Sequence, residues 1–272
     1  MKVGIIGTGN MGKVIIEALI ESKAISPSQL YMTNRTLDKA EEIQKTTGGN
    51  VKKTNREVIK SCDIVFICVK PHHVHGVIEE NRDDFTKDKC VVSITSPVSV
   101  DQLQSMIPCS CARFIPSITN RALSGVSLLT FGSNCTEKWR NDLKDLVTHI
   151  STPVTIEEDV TRVASDIVSC GPAFFSYLTQ RFINAAVDVT KIDSETATVL
   201  ASEMLVGLGD LLKKDIYTLP TLQEKVCVKG GVTGIGIAVM EKELGDVFEQ
   251  LFEATQKKFE DDTTETQSQF GV

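Results

Sequence analysis

The sequence predicts an α/β fold in which a doubly wound, parallel-sheet half comes first and an all-helical half follows. Three observations carry this. The chain opens on a short apolar strand that runs directly into Gly7-Thr8-Gly9-Asn10-Met11-Gly12, a G-x-G-x-x-G element set between a strand and a helix. Up to about residue 157, strand-like runs alternate with helical periodicity. Beyond Glu157-Glu158-Asp159 the strand signals stop and only helix-period stripes remain.

Each glycine of the opening element has a task. Gly7 permits the tight strand-to-helix turn, Gly9 lets the backbone approach a pyrophosphate, and Gly12 lets the helix lie close on the sheet. The free N–H groups and positive end of that helix then face phosphates. A glycine turn without function would have the same letters. The strand before it and the helical pattern Val14, Ile15, Ala18, Leu19 directly after it select dinucleotide binding.

The next strand, Leu30–Thr33, ends at Asn34-Arg35-Thr36. An NAD-preferring site places Asp or Glu here for the ribose 2′-hydroxyl, but no acid occurs until Asp38, in the following helix. Arg35 offers a planar donor fork suited to a 2′-phosphate, with Asn34 and Thr36 as uncharged donors. NADP is therefore expected over NAD, against the plainer alternative that Arg35 is a solvated loop cation. Ile64–Val69 is apolar throughout, as a strand covered on both faces should be. Val91–Thr95, Ala112–Ile115 and Val126–Phe131 add further strands, with helices expected near 36–47, 55–61, 99–106 and 136–150.

In the second half, Phe174, Leu178, Phe182, Ala186 and Val189 form one stripe. Ala197, Ala201, Leu205, Leu208 and Leu212 form another, and Val247, Leu251, Thr255 and Phe259 a third. Plain core packing accounts for most of such a pattern. Together the stripes exceed what a domain of roughly 100 residues can bury alone, which predicts a partner subunit, a homodimer through these helices. The expected boundaries are an NADP-binding domain over 1–157, a helical dimerisation and substrate domain over 158–260, and a disordered polar tail over 261–272. Lys229–Met240 places Gly230 and Gly231 just before a helical run, with Val232 and Thr233 following. Such a start exposes backbone N–H groups to a carboxylate and sets a hydroxyl beside it. A simple helix cap is the competing account.

Composition excludes several classes. Apolar residues make up 41% and charged residues 24% of the 272, ordinary for a globular protein. The net charge of −7 argues against nucleic acid or an anionic membrane as the main partner. No apolar run reaches membrane-spanning length, and no cleavable leader pattern is seen. The eight cysteines, with no C-x-x-C pair, read as free thiols in a reducing cytoplasm. His72-His73-Val74-His75 invites a metal, but three such histidines cannot share one ion on regular structure, and no acidic or thiol partner cluster accompanies them. They are expected in a loop and helix start near the cofactor, with no metal.

The ordered set Gly7–Gly12, Asn34-Arg35-Thr36, Val69-Lys70-Pro71, Arg113-Phe114-Ile115-Pro116, Ser169–Ala173 and Gly230–Thr233 resembles the pyrroline-5-carboxylate reductase family along nearly the whole chain. Ile115–Asn120 and Val226–Gly231 are most similar to its competence-operon branch, called ComER. The resemblance implies a Rossmann-type NAD(P)-binding domain, an all-α dimerisation domain and an active site shared across the dimer. It also implies that Asn55 lies near the adenosine ribose and that Val69, Lys70 and Pro71 line the nicotinamide side, with Ser96 in the segment beside the nicotinamide. Gly230, Gly231 and Val232 would then hold the substrate carboxylate, and Thr233 would hydrogen-bond the ring nitrogen of a cyclic imine, 1-pyrroline-5-carboxylate on its way to proline.

Three segments depart from the family pattern. The usual Ser-Pro-Gly-Gly-Thr-Thr is Val228-Lys229-Gly230-Gly231-Val232-Thr233, and Met-Pro-Asn-Thr-Pro is Ile115-Pro116-Ser117-Ile118-Thr119. Ala-Ala-Gly is Thr95-Ser96-Pro97. The expected activity is accordingly weak reduction of pyrroline-5-carboxylate, or reduction of a different imine or small hydroxy acid. A non-catalytic NADPH-binding regulator is the rival from another class. A β-hydroxyacid dehydrogenase is disfavoured because Arg162–Gln180, where its catalytic lysine belongs, contains none.

Overall fold

The structure is a computed structural model that describes residues 1–271. The first half forms eight strands: β1 Val3–Ile6, β2 Leu30–Thr33, β3 Asn50–Val51, β4 Ile64–Ile67, β5 Cys90–Ser93, β6 Ser110–Ile115, β7 Val126–Phe131 and β8 Thr152–Thr155. They make one sheet in the order β3-β2-β1-β4-β5-β6-β7-β8. All neighbours are parallel except β6 and β7. The helices between them are α1 Asn10–Glu21, α2 Leu37–Thr47, α3 Asn55–Ser61, α4 Pro71–Glu79, α5 Val100–Met106 and α6 Glu137–Thr148.

The continuous apolar runs follow from the pleat. Alternate residues of a strand point to opposite faces, and each face has its own core. Ile5, Ile64, Phe66 and Phe114 join Ile15 and Leu19 of α1 and Trp139 and Leu143 of α6 on one side. Ile6, Val65 and Ile67 join Val58 of α3, Val74 and Ile78 of α4 and Leu103 of α5 on the other. Phe66 and Phe114 meet edge to face, their centroids 5.9 Å apart, a favoured aromatic geometry. β3 and β8 went unread in the sequence because one has two residues and the other is mostly exposed, so neither shows a period.

The polypeptide divides into two compact units, Met1–Pro172 together with the segment from Phe252 onward, and Ala173–Leu251. The first unit therefore extends past the boundary expected at 157–158. It includes α7 Thr161–Ser165 and a π-helical turn, Asp166–Cys170. A buried guanidinium explains the extension. Arg113, on β6, is 1% exposed, and its Nη2 lies 2.7 Å from Glu158 Oε2. The same guanidinium donates to Thr161 Oγ1, Thr130 Oγ1 and the Ser96 carbonyl.

The tail beyond residue 260 corrects the expectation of disorder. The last helix, α12, runs from Val247 to Phe270. Composition hid this because one helical face suffices to seat the segment: Thr266 is buried, and Phe270, four positions on, packs against a core cluster. An i,i+4 pair, Lys258 with Asp262, supports the turn before them.

The remaining helices are α8 Gly171–Val189, α9 Ser194–Lys213, α10 Leu219–Val226 and α11 Val232–Glu243. Within the second unit the buried core is small: Ile183, Ala197 and Ala201, with Val187 and Ile192 packed against them. The apolar stripes instead leave large side chains open, Phe182 at 67% and Val189 at 81% exposure. No helix of the described residues is long and apolar enough to cross a membrane.

Candidate functional site: a cationic cleft and a helix start

A cleft of about 770 Å³ opens at the ends of β1, β2 and β4. It lies where the winding of the sheet reverses, between β1 and β4, the place where open α/β sheets bind ligands. The opening glycines shape it by different means. Gly7 has φ +99°, and a Cβ there would come 2.5 Å from the Cys68 carbonyl oxygen. A Cβ on Gly12 would come 2.1 Å from the Gly7 carbonyl oxygen. Gly9, by contrast, has no protein atom within 4 Å of a built Cβ. Packing requires Gly7 and Gly12, whereas Gly9 leaves room for something that is not protein.

The turn is braced from the second strand. Gly7 N–H donates to the Thr33 carbonyl at 2.9 Å, and Thr8 N–H donates to Asn34 Oδ1 at 3.0 Å. Asn34 in turn donates through Nδ2 to the Thr36 carbonyl. Thr8 Oγ1 is buried with no partner among the described residues. Gly9 caps α1 and has no side chain to satisfy its first-turn N–H groups.

Of the residues the sequence singled out, Gly7, Gly9, Asn34, Arg35, Thr36, Asn55, Val69 and Lys70 line the cleft. Thr8 lies between the first two glycines, while Asn10, Met11 and Gly12 form the first turn of α1. Pro71 opens α4. Asn55 opens α3, which Thr54 caps by accepting from the Glu57 N–H. Ser96 does not line the cleft; its carbonyl is turned to Arg113 at 3.1 Å.

His72 and His73, expected near the cofactor, do line the cleft, whereas sequence reasoning missed several walls: Lys39, Lys53, Arg56, Gly76 and Val77. Lys39 sits in the first turn of α2, a position that helical spacing could have flagged. The lining carries Arg35, Lys39, Lys53, Arg56 and Lys70 against one carboxylate, Glu80. Arg56 is engaged by Asp84, but Arg35 and Lys39 have no ion-pair partner among the described residues. A chain of net charge −7 thus presents a cationic cleft, which attracts anions. Desolvation and the neighbouring His72, Arg35 and Lys70 hold the His73 imidazole below its ordinary pKa. Burial pushes the Cys68 thiol up, so it lines the cleft uncharged. Open space over Gly9 and unpaired cations beyond β2 fit a dinucleotide phosphate.

The second unit holds the other residues. Gly230 has φ +79° and forms a turn in which Gly231 N–H donates to the Val228 carbonyl at 2.9 Å. Gly231 then caps α11 without a side-chain bond, and Val232 and Thr233 form its first turn. Gly230, Gly231, Val232 and Thr233 are brought together there, on a unit distinct from the cleft.

Fold and cleft define a dinucleotide-dependent oxidoreductase with an appended helical unit. Residues 2–97 match the family model described as NADP oxidoreductase, coenzyme F420-dependent, and residues 158–261 match that for pyrroline-5-carboxylate reductase dimerisation. The chain is 50% identical to ComE operon protein 4 of Bacillus subtilis over the full length of both. It is 25% identical to pyrroline-5-carboxylate reductase of Staphylococcus aureus, over 93% of this chain and 95% of the relative. A structure of Plasmodium falciparum pyrroline carboxylate reductase with NADP bound shares the fold, with a TM-score of 0.83, 20% identity and 98% of each chain covered. The chain belongs to the pyrroline-5-carboxylate reductase family, an NADP-dependent oxidoreductase family.

The glycines separate two kinds of failure. Gly9→Ala should leave the fold intact and weaken NADPH binding about tenfold or more, ~1.4 kcal/mol, measured by calorimetric titration. Gly12→Ala should cost about 1–3 kcal/mol of stability in urea unfolding, because its Cβ has nowhere to go. Equal stability losses in the two variants would contradict this division.

Proposed function

We propose that the protein uses NADPH to reduce a cyclic imino acid, with 1-pyrroline-5-carboxylate to proline the favoured reaction and weak turnover expected. The observation that carries this is the retained Gly230, Gly231 and Thr233 at the start of α11. Its cap lacks a side chain, so the first-turn N–H groups are left for an anion such as the substrate carboxylate. Thr233 Oγ1 can hydrogen-bond the imine nitrogen, acting on the protonated form that is open to attack. NADPH, when bound, supplies the hydride that converts the C=N carbon to a secondary amine. Gly7, Gly9 and the first turn of α1 hold the pyrophosphate. Asn55 holds the adenosine ribose, and Val69, Lys70 and Pro71 line the nicotinamide side.

A second reading, a regulator that binds NADPH without turnover, is favoured by one feature. Val232 is 84% exposed and sets methyl groups where the family's loop has a hydroxyl. A spectrophotometric assay of NADPH oxidation with pyrroline-5-carboxylate separates the two. Turnover supports the reductase, and its absence with every cyclic imine supports the regulator. Thr233→Val should lower the rate about tenfold, the worth of one transition-state hydrogen bond of ~1.4 kcal/mol, with NADPH affinity unchanged. Undiminished turnover in that variant would remove Thr233 from catalysis. Lys229→Pro with Val232→Thr should raise the rate.

We assign the 2′-phosphate to Arg35, with Asn34 and Thr36 as further donors. Charge-assisted pairing there contributes about 1.5–3 kcal/mol. NADPH should therefore bind more tightly than NADH, and Arg35→Ala should abolish most of that preference. Equal affinities in the unaltered protein would overturn the assignment.

The open apolar faces of α8 and α9 also favour a homodimer through the helical unit, with a large and mostly apolar interface. The eight free thiols suit a cytoplasmic protein. Light scattering at micromolar concentration should give twice the chain mass; a stable, well-folded monomer would contradict the dimer.

A further inference from the structure

Dinucleotide binding by itself asks nothing of the end of α12, yet that end is tied to the first unit at two points. Thr266 is 1% exposed, and its Oγ1 donates to the Pro97 carbonyl at 3.0 Å, across 169 residues of sequence. One turn later the Phe270 ring meets His75 edge to face, with centroids 5.0 Å apart and planes at 86°. Phe270 also packs against the apolar cluster to which Val74 and Ile78 of α4 and Val98 belong.

The Phe270 contact lands on the cleft wall, and the Thr266 contact on Pro97, in the segment that the family resemblance sets beside the nicotinamide. α4 contributes His72, His73, Gly76 and Val77 to its wall, and His75 lies among them on the same short helix. Pro97 follows Ser96, whose carbonyl is already held by Arg113. Two successive carbonyls of a segment without regular structure are thus each fixed by a buried donor. A nine-residue helix such as α4 is too short to hold its place by propensity, so its position depends on what packs against it.

We infer that the end of α12 is a brace for the dinucleotide cleft, in which Thr266 sets the Ser96–Pro97 segment and Phe270 sets α4. Both are positioning residues, and their role rests on the assignment of the cleft to NADPH. The brace acts on the free protein, by limiting how far the cleft wall can wander before the cofactor arrives. It also gives a reason for the polar tail to be helical.

The test uses the full-length protein with Thr266→Val, Phe270→Ala and the exposed control Gln267→Ala. Hydrogen exchange is read over Pro71–Glu79 and Thr95–Val98 without cofactor, and NADPH affinity is read by calorimetric titration. Thr266→Val should speed exchange over Thr95–Val98 and Phe270→Ala over Pro71–Glu79. Each should weaken NADPH binding about three- to tenfold. Gln267→Ala should change neither, and Thr266→Ser should restore the parent values. Phe270→Leu, which keeps an apolar contact but loses the ring pair, serves in place of Phe270→Ala if that variant fails to fold, with the same direction expected. Parent-like exchange and affinity in both variants overturn the brace. Faster exchange with unchanged affinity overturns it too, by reducing the contacts to local structure. A parent protein that binds no NADPH instead overturns the assignment of the cleft, and the brace with it.

Discussion

The close seat of α1 on the sheet is the constraint from which the dinucleotide cleft follows. Gly12 lies so near the Gly7 carbonyl, and Gly7 so near the Cys68 carbonyl, that neither position has room for a Cβ. These two approaches lock together the end of β1, the segment after β4 and the first turn of α1. The helix therefore starts at the crevice between β1 and β4, with its unpaired N–H groups beside the space left over Gly9. A side chain at either position would push the helix outward, and the anion site would move with it.

A second anchor sits on the other side of the sheet's midpoint. Arg113 is a buried cation, which is costly unless its charge and its donors are met. Glu158, Thr130, Thr161 and the Ser96 carbonyl meet most of them. Burial lowers the arginine pKa and the Glu158 charge raises it again; a guanidinium remains protonated through both. One side chain thereby joins β6, β7, the segment after β5 and the start of α7. Asp166 plays a smaller version of the same part, accepting from Arg162 at 2.8 Å and from Thr255 of α12 at 2.7 Å. Polar crosslinks of this kind hold the chain's last helix to the first unit where apolar burial is thin.

Chain-wide averages mislead about both functional regions. The net charge is −7, yet the cleft wall is cationic, because acidic residues are spread over exposed helix faces while Arg35, Lys39, Lys53 and Lys70 converge. The apolar content is ordinary, yet the second unit buries few large side chains and leaves Phe182 and Val189 open. Those open side chains lie in residues 158–261, which match the family model described as pyrroline-5-carboxylate reductase dimerisation.

What was legible in the sequence was local. A steric demand written in three glycines, a two-residue pleat that makes covered strands apolar throughout and a 3.6-residue helix period all act between near neighbours. The β1–α1 turn, Asn34 and Arg35 after β2, the order of strands and helices and the Gly230–Thr233 helix start could therefore be read directly. The short strands β3 and β8 were not, because two residues or a mostly exposed edge carry no period. The walls Lys39, Lys53 and Arg56 gain meaning only when three separate strand ends meet. The same holds for the partners of Arg113, as far as 48 residues away, and for Thr266 on Pro97. The sequence by itself determined the longer strands and helices and the covered faces of the sheet, since those follow from steric fit and hydrophobic period along the chain. The tertiary structure alone decided the cleft's charge, the buried polar crosslinks and the order of the tail, since each depends on groups far apart in the chain coming within hydrogen-bonding or Coulomb range.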